Sequence, residues 1–297
     1  MLDVDVTSAT TRIDLRGARH FDHALIEALE AALDRAEAAS SARVVFENSG
    51  PDFLVGIDAR WVVERILDDD LPAIIEFVER GQRFLRRLDR TPCRTVARVR
   101  GHVTGAGAEW VAACDTVIAT GDVRIGLPET GLGIHPALGG TQRVPRRIGQ
   151  AAARWAILTG SYLDTEGARR LGWIDAVGDE VDVARRPARV AHAPARHAAF
   201  HDETLAAFAT RSLDELLAGP RPDDGDAVRR ALRRVARRAP VARDVADRLL
   251  DRSRTDDLET GLRAEIDALA TVYATDDALT GMRAGAEGRR AARFRGR

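Results

Sequence analysis

Hydrophobic spacing along the 297-residue chain changes period several times. The segment TRIDLRG (11–17) alternates polar and apolar positions as a short half-buried strand does. FDHALIEALEAALDRAEAA (21–39) repeats its apolar residues at the 3.6-residue period of an amphipathic helix. ARVVFENSG (42–50) reads as a β-branched strand closed by turn residues, LPAIIEFVERGQRFLRRLDR (71–90) as a long helix, and TPCRTVARVRG (91–101) as another strand. DTVIATGDVRIGLPE (115–129) supplies two further short strands, and GARRLGWIDAV (167–177) a helix followed by a strand. Alternation of this kind predicts an α/β fold with parallel pairing.

The pattern weakens after residue 180. VARRPARVAHAPARHAAFHDE (183–203) is rich in Pro, His, Ala and Arg and nearly aperiodic, and GPRPDDGD (219–226) is a clear break. Beyond it, AVRRALRRVARRAPVARDVADRLLDR and LETGLRAEIDALATVYA return to helical spacing. The expected organisation is an α/β core over 1–180, a linker or surface segment over 181–225, and a helical C-terminal region over 226–297.

Composition narrows the functions. Hydrophobic residues make up 45% and charged residues 31%, with a net charge of −1, so no whole-molecule attraction to nucleic acid or an anionic membrane is expected. All 45 basic residues are arginine, which excludes lysine Schiff-base chemistry. The arginine runs of the C-terminal helices are interleaved with aspartate and lack stacking aromatics, so they read as solvated faces. Cys93 and Cys114 form neither a disulfide framework nor a metal-ligand spacing, and His192, His197 and His201 are poorly spaced for a metal. No apolar run is long enough to span a bilayer, and the acidic, β-like N-terminus has no signal-peptide core, so a cytoplasmic protein is expected.

Three short stretches carry candidate chemistry. GHVTGAGAEWVAACD (101–115) reads as strand–turn–helix, with Gly101, Gly105 and Gly107 allowing torsions and close approach that other residues forbid and a helix starting near Ala106. A helix start there directs unpaired N–H groups and partial positive charge into the space before it, and the small Ala106 and Ala108 keep access open. Close helix–strand packing explains the same glycines. FLVGIDARW (53–61) repeats the arrangement around Gly56, where the Ile57 amide faces outward and Asp58 is a helix cap. Two such turns could aim two donors at one oxygen, as an oxyanion hole does. IGLPETGLGIHPALGGTQR (125–143) holds Glu129 after a proline; spacing alone makes it an exposed, rigidly held glutamate. Two carboxylates, Glu109 and Glu129, beside one oxyanion hole would allow one to take a proton and the other to give one.

These stretches together resemble the signature of the enoyl-CoA hydratase/isomerase (crotonase) superfamily, and ILTGSYLDTEGARRLGWIDAV and the terminal DDALTGMRAGAEGRRAARFRGR extend the match. The resemblance implies a crotonase-like spiral of ββα units with a helical C-terminal region, and a homo-oligomer, trimer or hexamer. It implies that the Ile57 and Ala106 amides polarise an acyl-CoA thioester carbonyl. By the same resemblance, Glu109 activates water for attack at C3, and Glu129 protonates C2 of a trans-2-enoyl-CoA. Val55, Gly56, Gly105, Trp61 and Leu132 would line the substrate. No metal and no redox cofactor is implied, and coenzyme A enters only as part of the substrate.

Three departures bear on this expectation. The Asn-Arg-Pro segment usual after the first strand is absent from DLRGARHFDHAL, which leaves that part of the coenzyme A site open. Phe53, Leu54, Val55 and Ile57 are bulkier than usual, and bulk there could narrow the pantetheine entry. FATRSLDELLAG and the arginine-rich helix after it are similar to the 3-hydroxyisobutyryl-CoA hydrolases. Those lack a glutamate at the position of Glu109 and carry aspartate where Ala137 stands, so hydration is favoured. Thioester hydrolysis, double-bond isomerisation and acyl-CoA binding without turnover are the alternatives. Trp61 and Trp110 are expected to pack helices, His135 to be satisfied by backbone, and Asp115 to cap or orient a helix end.

Overall fold

Residues 2–178, 202–289 and 293–297 are described in the computed structural model. The chain runs β1 (Asp3–Val6), β2 (Thr11–Asp14), α1 (His23–Ala38), β3 (Arg43–Glu47), α2 (Ala59–Leu67), α3 (Leu71–Arg90), β4 (Arg94–Thr104), α4 (Ala106–Ala113) and β5 (Thr116–Gly126). A 3-10 turn (Glu129–Gly131) leads to α5 (Gly140–Ile148), α6 (Gln150–Thr159), β6 (Tyr162–Leu163), α7 (Thr165–Leu171) and β7 (Ala176–Val177). The helices α8 (Asp202–Thr210), α9 (Leu213–Leu217), α10 (Asp226–Val235), α11 (Pro240–Arg252), α12 (Leu258–Asp267), α13 (Leu269–Tyr273) and α14 (Asp276–Ala286) follow.

The strands form one mixed sheet in the order β1-β2-β3-β4-β5-β6, with β7 also on β5. β2 through β5 pair in parallel, while β1 and β6 close the edges antiparallel. Because successive side chains face opposite sides, Val44 and Phe46 enter the main core while Val45 joins Val96, Ile118 and Ala176 beneath the sheet. Trp110 sits at the centre of the main core, ringed by Phe21, Phe46, Phe53 and Phe84 at centroid distances of 5.2–5.8 Å. It packs α4 against β3, α3 and the segments before α1 and α2, so its neighbours are more than the helices expected.

Two strand readings change. The strand read over 91–101 and leading into the glycine turn runs from Arg94 to Thr104, with a register shift between Val99 and Gly101. Gly101 has φ 60°, and a Cβ there would lie 2.6 Å from Asp52 Oδ1, so the bulge needs glycine. The two short strands expected in 115–129 are one strand, β5, whose exposed Gly121–Asp122 bulge separates two stretches paired with β4. The bulge keeps both strands in the sheet long enough to bring Gly105 beside Gly126.

Local signals set the helix starts. Asp22, Asp58 and Asp70 cap α1, α2 and α3 through their side chains. Asp115 is no helix cap; its carboxylate accepts from the Thr95 amide and hydroxyl on β4, each at 2.9 Å. Of the stretch read as a linker, 181–201 lie outside the described residues, as do His192, His197 and His201. Residues 202–225 contribute α8 and α9, with α8 against α6 and Phe208 fully buried.

The C-terminal helices fold back over the core: α12 packs on α3 and α5, α11 on α5 and α6, and α14 on α2. Buried ion pairs fasten them. Arg154 of α6 meets Asp247 of α11 at 2.6 Å and donates to the Phe208 and Arg211 carbonyls, and Arg211 pairs with Asp224. Among the described residues, no helix is long and apolar enough to cross a membrane.

Candidate active site

Gly105 ends β4 with φ 56° and ψ −127°, a conformation that a residue with a side chain resists, and its N–H donates to Gly126 O at 3.1 Å. Gly56, at φ 108°, lies beside it: a Cβ on Gly105 would stand 3.4 Å from Gly56 Cα. Gly107 does different work, since a Cβ there would meet Leu54 O at 2.7 Å and Leu54 Cβ at 2.9 Å. The glycines differ in what they do: Gly107 allows close packing and Gly105 allows the turn. Among the described residues, the Ile57 and Ala106 N–H groups donate to no acceptor.

Phe53 and Leu54 are fully buried in the core, so only Val55 and Ile57, both half-buried, remain at this turn. The Val55 amide is committed to Arg19 O at 2.9 Å. Trp61 packs against His23 and Phe77. Leu132 closes the 3-10 turn, with its amide on Glu129 O at 2.8 Å, and lies under α14, where a Cβ on Gly285 would reach its Cδ2 at 3.1 Å.

Glu109 lies in the first turn of α4 and is buried. Its Oε1 accepts from the Leu138 and Gly140 amides, each at 2.8 Å. Burial raises its pKa to about 7, against the pull of those two amides and of Arg143. Glu129 is buried as well, which corrects the expectation of an exposed residue. The turn after Pro128 folds inward because the Leu132 and Ile134 amides both donate to Glu129 O, while Thr130 Oγ1 anchors to Ile157 O at 2.9 Å. The Glu129 carboxylate stands beside the glycine turn, 3.1 Å from where a Gly105 Cβ would be.

Glu129 Oε2 has no hydrogen-bond partner, and burial together with the charges of Glu109 and Glu265 holds its pKa well above the ordinary carboxylate range. The two glutamates thus differ in environment. Two amides favour ionised Glu109, whereas only its own backbone amide does so for Glu129, which is the better holder of a proton.

Glu265, Tyr273 and Gln82 complete the surroundings and were not picked out in the sequence. Glu265 is fully buried; its Oε1 accepts from the Thr141 amide and hydroxyl, and its Oε2 from the Gly139 amide and Gln82. The phenol of Tyr273, buried and within the field of both Glu129 and Glu109, is pushed to a higher pKa. A signal existed for Glu265. It stands three residues after Leu262 and four before Leu269, on the apolar face of its helix, where a charge is out of pattern. His135 meets backbone at one ring nitrogen only, with Nε2 3.0 Å from Glu265 O and Nδ1 buried without a hydrogen-bond partner, and burial lowers its pKa to about 4, so it is neutral. Among the described residues, no group of three His, Cys, Asp or Glu is arranged to hold a metal ion.

The sequence model described as enoyl-CoA hydratase/isomerase matches residues 16–219, more than half of the chain. The chain belongs to the enoyl-CoA hydratase/isomerase family. Its fold is similar to that of an enoyl-CoA hydratase from Rhodobacter sphaeroides 2.4.1, with TM-score 0.82 and 22% identity, over 99% of this chain and 92% of the other. A carnitinyl-CoA dehydratase from Mycobacterium thermoresistibile is also similar, with TM-score 0.79 and 22% identity, over 96% of this chain and 89% of the other. An enoyl-CoA hydratase from Bacillus anthracis matches at 25% identity with TM-score 0.53, over 100% and 99% of the two chains. The mixed α/β architecture with its C-terminal helices is that of this family.

Proposed function

We propose that this family member is an enoyl-CoA hydratase. The observation that carries the reading is the pairing of two buried, differently served glutamates beside two turns with free amides. The Ile57 and Ala106 amides receive the thioester oxygen, where negative charge grows as C3 is attacked; each such donor stabilises the transition state by about 3–4 kcal/mol. Glu109, ionised, removes a proton from water as its oxygen bonds to C3. The resulting enolate takes a proton at C2 from Glu129. Water is thereby split across the double bond, giving a 3-hydroxyacyl-CoA. The cycle ends with the proton on Glu109 and the charge on Glu129, so it must be reset by proton exchange with water before the next turnover.

The test is a panel of trans-2-enoyl-CoA and 3-hydroxyacyl-CoA thioesters, followed for both loss of the conjugated double bond and release of free thiol. Hydration without thiol release is the expected result. Thiol release without hydration would replace this reading with a thioesterase. Movement of the double bond without water uptake would make the protein an isomerase. Binding of a saturated acyl-CoA with no turnover of any thioester would make it a non-catalytic member.

A further inference from the structure

The turn from Leu138 to Thr141 offers four successive amides, and they alternate between two carboxylates. Leu138 N and Gly140 N donate to Glu109 Oε1, each at 2.8 Å, while Gly139 N and Thr141 N donate to Glu265 at 2.7 and 2.9 Å. Gly139 makes the alternation possible with φ 107°, and Gly140 must be bare, since a Cβ there would lie 2.8 Å from Glu109 Oε1. On the far side Glu265 also accepts from Thr141 Oγ1 at 2.5 Å and from Gln82 at 3.3 Å; Gln82 in turn donates to Ala137 O at 2.8 Å. The C-terminal helix α12 therefore grips the back of the same turn whose front holds Glu109.

We propose that Glu265 is a positioning residue of this site, clamping the 138–141 turn so that its outward amides hold the Glu109 carboxylate in place. The role rests on the reading of Glu109 as the base that activates water. Without the Glu265 carboxylate, two amides, a hydroxyl and Gln82 lose their acceptor in a dry interior, and the turn relaxes away from Glu109. Glu265 interacts with Glu109 from α4, Glu129 from the 3-10 turn, Arg146 from α5 and neutral His135. Arg143 of α5, which acts on Glu109 and pairs with Asp89 of α3, and Tyr273 of α13, in the field of Glu109 and Glu129, are the other charged or titratable groups of the packed elements. Burial and the charge of Glu109 raise the Glu265 pKa to about 8, against the pull of its Thr141 and Gly139 donors, and once ionised its charge opposes ionisation of Glu129. Removing that charge lets Glu129 ionise at lower pH, while relaxation of the turn takes the Leu138 and Gly140 amides from Glu109 and makes it ionise at higher pH.

The experiment compares Glu265→Gln and Thr141→Val with the unaltered protein. The panel above first establishes which thioester turns over, and kcat and KM are then followed across pH. Glu265→Gln is expected to lower kcat about 10–100-fold, with KM changed less than about threefold, and to narrow the pH profile, the acid limb of Glu109 moving up and the alkaline limb of Glu129 moving down by up to about one unit. Thr141→Val, which removes one donor to Glu265, is expected to move the limbs the same way by less. Glu265→Asp should restore the limb positions more than kcat. A folded Glu265→Gln protein with unchanged kcat and limbs would overturn the proposal, as would a loss of thermal stability without movement of the limbs. If Glu265→Gln does not fold, unmoved limbs in Thr141→Val would overturn it. If the unaltered protein hydrates nothing, the hydratase reading falls alone: infrared titration of the buried protonated carboxyls then reads the same displacement without turnover, and its absence would overturn the role of Glu265.

Discussion

The starts of α4 and α5 are built alike and used differently. Each follows a glycine at positive φ, Gly105 at 56° and Gly139 at 107°, and each is buried. Any helix start concentrates N–H donors and partial positive charge, so both attract an anion. The α5 start has taken its anions from within the protein, Glu109 on one side and Glu265 on the other. The α4 start keeps the Ala106 amide without an acceptor among the described residues, beside the equally free Ile57 amide. A buried N–H left unpaired costs about 1–3 kcal/mol. Under the proposed hydration, a thioester oxygen at the α4 start would relieve that cost. The comparison also teaches that a glycine before a helix announces an anion site without saying whose anion fills it.

Breaking either side of the comparison should have graded consequences. The largest belongs to the carboxylates: Glu109→Gln and Glu129→Gln should each reduce hydration about 10²–10⁴-fold, measured as kcat on the preferred enoyl-CoA. Retention of near-native rates by both would remove the acid–base assignment. Gly105→Ala puts a side chain at φ 56° and 3.1 Å from Glu129 Oε1, disturbing the open helix start. It should cost about 10²–10³-fold in kcat, the scale of one lost oxyanion donor. Gly140→Ala attacks the filled start instead, pressing on Glu109 from 2.8 Å, and should cost about 10–100-fold.

Smaller effects follow from pH. Because Glu109 is raised to about 7 and must be ionised to serve as base, kcat/KM should fall as pH drops through that value, approaching about tenfold per unit below it. Stability runs the other way. A carboxyl whose folded pKa lies above its unfolded 4.5 stabilises fully below that pH, and the contribution is lost as pH rises through the folded value. Melting temperature should therefore decline from pH 5 toward alkaline pH. Glu129→Gln, which removes a raised carboxyl, should flatten that decline and melt a few degrees higher at pH 8, the smallest change in the series and one read by calorimetry.

Much of the architecture was legible because periodicity survives in a single sequence. The 3.6-residue spacing of α1 and α3 and the β-branched run of β3 predict those elements, and the Asp58 cap marks the start of α2. Bulges are less visible: the single strand β5 looked like two because its middle residues are exposed turn formers. Burial of Glu129 was not legible at all, since no local pattern says that helices from more than a hundred residues later will cover its turn. Glu265 was missed for a related reason. An out-of-pattern charge on an apolar helix face says that something receives it, and the receivers, Gly139 and Thr141, are distant in sequence.

By itself, then, the amino-acid order determined the α/β class, the glycine turns, the small Ala106 and the two glutamates of the family's pattern, because these depend on local backbone freedom and side-chain size. Only the tertiary structure decided which amides lack an acceptor among the described residues, which carboxylate is driven further toward its protonated form and which side chains meet the 138–141 turn. Those depend on burial and on donors brought together from α3, α5 and α12. A dry interior makes a few such contacts decisive, and no segment of the chain creates that interior alone.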